Sequence, residues 1–325
     1  MTPVPVCSLV LVGGVSPLYN IPRGASMKKN ALPQSFSLIV LSALLLAACG
    51  KPADDFGLYQ NMKEYAQQKY EASGATQRTD MPVKFAPGVD YIANLKGLIA
   101  LVFGSRQLQV HLVSYESPTI AVASISQFEV PPGSGNFTDC AFVVRPAANI
   151  RAPYLHGDAL KGMAGMSTSF SMDFYNVDNA SIDVDAFFGD QIAKLAEGLA
   201  LVEQYQRTGD NRGKYTKHLA PYKSKYRIEI EEPDTDDDGV REAYAAAALQ
   251  AYQLFMDAYF TSLARLQPED DAVLIQGVKE GTDVFIDLLY AEDTAVRLGK
   301  QLFGDDIDEY FLQGFWRDGY YGAGL

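Results

Sequence analysis

Cysteine is scarce in this 325-residue chain: Cys7, Cys49 and Cys140 are all there is, no Cys-x-x-Cys occurs, and a disulfide framework is excluded. Histidine is equally rare. His111, His156 and His218 stand far apart, without the spacing of a structural zinc site. Basic residues are too few and too scattered to form a stripe, and the net charge is −13. Such an acidic body repels phosphates, so no nucleic acid is expected as a partner. No acid occurs before Asp54, so all 40 acids lie from that residue onward. There is one tryptophan, Trp316, no internal repeat, and no run of apolar residues long enough to cross a bilayer comfortably.

What is present begins with a leader. Met27-Lys-Lys opens a positive head, an apolar run follows from Phe36 to Ala48, and Leu-Ala-Ala-Cys-Gly closes it at Cys49. A charged head, a short apolar run and a small-residue cleavage site are the grammar of a secretory signal. The closing box resembles that of bacterial lipoproteins, in which the cysteine thiol takes a diacylglycerol. Residues 1–26 read as an upstream extension, 27–48 as a lipoprotein signal peptide, 49–55 as a tether and 56–325 as a single domain. Cys49 is then the lipid attachment, and the protein a membrane-anchored lipoprotein facing the periplasm of a bacterial envelope. A cytoplasmic or plastid protein with a different leader is the alternative.

Periodicity predicts a helix over Leu58–Ala72, an extended stretch from Met81 to Pro87, and strands at Leu98–Phe103, Leu108–Val113, Thr119–Ile125, Asp139–Pro146, from Pro153 to Leu160, and Ser167–Tyr175. Helices are expected over Asp185–Tyr205, Val240–Leu266, Ala272–Leu289 and Thr294–Phe303. Strands followed by helices without a linker argue for an α+β body with a mainly antiparallel sheet.

Three polar residues stand out within the strands. His156 and Asp158 flank Gly157, and residues two apart on a strand share a face. Asp139, on the preceding strand, could add a second carboxylate across the ladder. Together they make an acid–base constellation with neither nucleophile nor metal cage. The plainer alternative is polar residues capping strand ends. His111 and Cys140 read as packed strand residues. Asp234-Thr-Asp-Asp-Asp-Gly239 matches the first half of a calcium loop, but Ala245 stands where the bidentate glutamate belongs, which favours an acidic helix entrance.

Several segments resemble, in order, the C-terminal helices of ferredoxin-dependent bilin reductases. They are Ala251–Tyr259, Gln267-Pro-Glu-Asp-Asp271, the acidic bend within Asp283–Asp293, and Leu302-Phe-Gly-Asp-Asp-Ile-Asp-Glu-Tyr-Phe-Leu312. Arg145-Pro146 and Pro153–Asp158 look like the family's Arg-Pro and Pro-to-Asp segments. The resemblance covers roughly residues 56–318 and implies a three-layer α/β/α sandwich holding a linear tetrapyrrole such as biliverdin between sheet and C-terminal helices. It also implies an oxidoreductase with no bound cofactor or metal, fed with single electrons by reduced ferredoxin or a similar donor. Asp158 matches the family's proton-donating aspartate; Asp139 stands where some members have histidine, and His156 would be a proton relay. Lys214, Lys217, Lys223, Lys225 and Arg227 could form the donor's docking patch. The alternative is a lipid-anchored lipoprotein that binds a tetrapyrrole or other apolar ligand without turnover.

Overall fold

Eight strands form one antiparallel sheet, in the order β1-β3-β4-β5-β6-β7-β8 with β2 pairing beside β1 on β3. The computed structural model describes residues 56–96, 100, 105–132, 137–161, 168–177, 182–207 and 217–325, all within one compact unit. The strands are β1 Thr76–Gln77, β2 Tyr91–Asn94, β3 Gln107–Ser117, β4 Ile120–Glu129, β5 Phe137–Pro146, β6 Tyr154–Leu160, β7 Ser169–Tyr175 and β8 Ile228–Glu231. Their consecutive pairing follows from short connections, which favour neighbours in an antiparallel meander.

On one face lie α1 (Leu58–Ala72), α2 (Val184–Phe188), α3 (Ile192–Leu201) and α4 (Asp238–Leu263). They bury Phe142, Phe170 and Phe174 of the sheet against Tyr252, Phe255 and Tyr259 of α4. On the other face lie α5 (Ala272–Glu292), α6 (Thr294–Phe303) and a wide π-type helix, Asp308–Phe315. Layers on both faces make the architecture an α/β/α sandwich, as expected.

Most elements fall where periodicity put them, and α1 and α6 match residue for residue. The long helix expected over Asp185–Tyr205 is instead broken at Gly189, which sits at φ 52° and ends α2. Pro82 does not extend the chain beyond it: Val83–Phe85 is a single 3₁₀ turn. β8 was not expected, because four residues with two glutamates carry little strand signal. The strand expected at Leu98–Phe103 lies, apart from Ala100, outside the described residues, as do Cys49 and the whole leader. No helix among the described residues is long and apolar enough to cross a membrane.

Candidate functional site

The registers of β4 to β8 decide which side chains meet. Asp139 pairs with Phe128 and Leu160; Ala141 with Ser126 and Asp158; Val143 with Ser124 and His156. On the far side of β6, Asp158 faces Ser171 and His156 faces Asp173. Antiparallel partners point the same way. Asp139, His156, Asp158, Ser171 and Asp173 therefore all project from one face of the sheet, toward α5, α6 and the π-helix. Gly157, between His156 and Asp158, leaves room for the opposite face: a β-carbon there would meet the Phe142 ring and the Ser171 carbonyl oxygen at 2.5 Å.

These residues line a recess. Around them Ser126, Val143, Tyr154, Asp173 and Tyr175 are fully buried, whereas Phe128, Asp139, Ala141, His156, Asp158, Leu160 and Ser171 form a contiguous patch that keeps partial exposure. A patch at the centre of a sheet, under a helical layer, that still admits solvent is a hollow. Its roof is aromatic. Tyr310 donates to Ser126 Oγ at 2.6 Å, its ring lies 6.0 Å from that of Phe128, and Trp316 lies 5.5 Å from the His156 ring.

The electrostatics follow from this depth. Burial, aided by the charges of Asp158 and Asp293, pushes the Asp139 carboxyl well above the usual range, and its Oδ1 has no hydrogen-bond partner. Burial also raises Asp158, partly offset by Ser171, which donates to Asp158 Oδ1 at 2.5 Å, and by His156. The His156 imidazole is pushed down by burial, against the pull of Asp158 and Asp293. Burial thus shifts both carboxyl groups toward their protonated form and the imidazole toward its neutral form, the direction required of carboxyl proton donors.

Two further carboxylates belong to the cluster and were not singled out in the sequence. Asp173 is pushed up to about 6 by burial, although it accepts from Phe174 N and from the Ser224 amide and hydroxyl. Its signal is an acid in phase with Ser169, Ser171 and Tyr175, alternating with the apolar Phe170, Met172 and Phe174. Asp293 caps the end of α5, acts electrostatically on Asp139, His156 and Asp158, and lies 3.9 Å from His218 Nε2. In the sequence it reads only as part of an acidic bend.

Other candidates are engaged elsewhere. Asp237 Oδ1 caps α4 by accepting from Gly239 N, and no group of residues among those described could hold a metal ion, so the Asp234–Gly239 segment acts as a helix entrance. Cys140 is buried on the opposite sheet face, its thiol pushed up to about 12. His111 faces Asp90 at 2.9 Å. In the basic segment Lys223 lies 2.6 Å from Glu229, Lys225 2.6 Å from Asp185 and Arg227 3.8 Å from Glu229; Lys214 lies outside the described residues. Those cations are partnered within the chain.

No protein-family model and no curated protein matches the chain. Among solved structures it is similar to a phytochromobilin synthase from tomato, determined in complex with biliverdin, with a TM-score of 0.60 and 13% identity over 80% of this chain and 83% of the other. At that identity the likeness carries the fold alone: a large antiparallel sheet with helices packed on both faces.

Proposed function

We propose that this protein reduces a linear tetrapyrrole in the recess, with protons supplied by its own carboxyl groups. The observation that carries this reading is the convergence of Asp139, Asp158 and His156 on one half-buried patch beneath an aromatic roof. Reduction of one double bond takes two electrons and two protons. A ferredoxin-like donor delivers the electrons singly, and the protons must come from groups that still hold them near neutral pH. Desolvation shifts Asp139 and Asp158 toward that form. Asp158, held by Ser171, gives the first proton to the pigment; Asp139 stands by as a further donor, and His156 passes protons between them. Phe128, which keeps partial exposure, supplies a flat apolar surface for a tetrapyrrole to stack on, backed by the buried ring of Tyr310. The biliverdin in the tomato enzyme supports this choice of pigment.

The test is optical. Biliverdin mixed with the protein and a reduced ferredoxin system should bleach or shift to shorter wavelength, and Asp158→Asn should slow that change by about 10²–10⁴-fold while still binding pigment. A stable bound spectrum in the wild type would instead indicate a carrier, and an unaltered spectrum would remove the tetrapyrrole altogether. The anchor is a separate part of the proposal. Cys49 carries the lipid, and radiolabelled palmitate should enter the wild-type chain and fail to enter Cys49→Ser.

A further inference from the structure

The single tryptophan, Trp316, is buried with its indole tilted 34° against the His156 imidazole. Regular helix packing does not place it there. The helix leading into it is wide, and Arg317 just beyond adopts φ 52°, a left-handed conformation that a non-glycine residue holds only when its surroundings impose it. Three arginines surround this segment. Arg78 Nη1 donates to the Gly314 carbonyl at 3.2 Å, and the Arg317 side chain reaches Glu116 at 2.5 Å and Asp80 at 2.6 Å. Arg145 Nη2 donates to the carbonyls of Arg317 at 2.6 Å and Tyr320 at 2.5 Å.

Arg145 differs from the other two. It is 1% exposed, rises from the polar face of β5, and forms no ion pair among the described residues; its Nε has no partner at all. A buried guanidinium that gives two hydrogen bonds, both from Nη2, to the carbonyls of one segment binds that segment firmly, because moving the segment away would leave the charge without them. We infer that Arg145 is a positioning residue of the recess: by clasping the carbonyls at both ends of the Arg317–Tyr320 turn, it holds Trp316 against His156.

The ionisable groups facing that imidazole are Asp158 on its own strand, Asp173 and Tyr175 on β7, and Asp293 after α5; β5 offers Val143 and the tail offers Trp316. Trp316 closes the side of the ring that would otherwise meet water. Its removal lets the imidazole titrate nearer the ordinary histidine value of about 6.5. The consequence for turnover rests on the proposed proton-donating function, but the clasp itself is measurable without pigment.

The experiment is a pH titration of tryptophan emission on the full chain. An imidazolium against an indole quenches it, so wild-type emission should drop on acidification below the ordinary histidine range, and His156→Gln should lose the drop. Arg145→Gln should shift emission to the red and lose the step, while Arg145→Lys should keep a step with its midpoint moved up. Circular dichroism reports folding; where Arg145→Gln does not fold, Arg145→Lys decides alone. An unmoved midpoint in Arg145→Lys, a folded Arg145→Gln with wild-type emission, or a wild type with no step that depends on His156 overturns the inference. A displaced Trp316 without any bilin turnover would sink the proposed function and keep the clasp. Bilin turnover with Trp316 unmoved in the variants would do the reverse.

Discussion

The two faces of the one sheet are built from alternate residues of the same strands and have opposite character. Toward α4, Cys140, Phe142, Leu155, Ala159, Phe170, Met172 and Phe174 pack a dry aromatic layer. Toward the C-terminal helices, the intervening positions include Asp139, Arg145, His156, Asp158, Ser171 and Asp173. The strand period of two sorts them; both faces pack a hydrophobic core, but on the second the polar groups are set among Val143, Tyr154, Tyr175, Phe285 and Trp316. The polar layer costs stability, since carboxyl groups are held where charge is poorly solvated. The dry face offsets that cost, and the same burial shifts the carboxyl groups toward their protonated form.

This contrast can be broken from either side. The largest effect is expected on the dry face. Phe174 stacks on Phe255 and Tyr259 and meets Phe188 edge-on, so Phe174→Ala should cost about 3–5 kcal/mol in urea unfolding, equally at every pH. A strongly pH-dependent loss would show that the faces are coupled. On the polar face the effect is smaller and of another kind. Asp173 is raised to about 6, so the folded protein binds its proton more tightly than the unfolded chain. That contribution is full below the ordinary aspartate value and is lost as pH rises through about 6. Wild-type stability should therefore fall by up to about 3 kcal/mol from this group across that window, and Asp173→Asn should flatten the slope. Equal slopes in the two proteins would contradict the assigned burial.

The sandwich and most of its elements were legible because strand alternation and helix periodicity are local signals. His156 and Asp158 could be placed together for the same reason, being two apart on one strand. Asp139 joined them through a short connection between adjacent strands. Asp293 was not legible as a neighbour: more than 130 residues separate it from Asp158, and only the packing of α5 over the sheet brings it near. Asp173 was hidden by its strand, whose alternation marks a face without saying which. The role of Arg145 was out of reach too, since its acceptors are backbone carbonyls near the C-terminus, and a carbonyl carries no sequence signature.

The most direct test of the central claim is carboxyl ¹³C NMR on aspartate-labelled protein, with resonances assigned through Asp139→Asn and Asp158→Asn. The account predicts that Asp139 and Asp158 still carry protons at pH values where the exposed aspartates have lost theirs. Titration of both within the ordinary range, near 3.9, would contradict it.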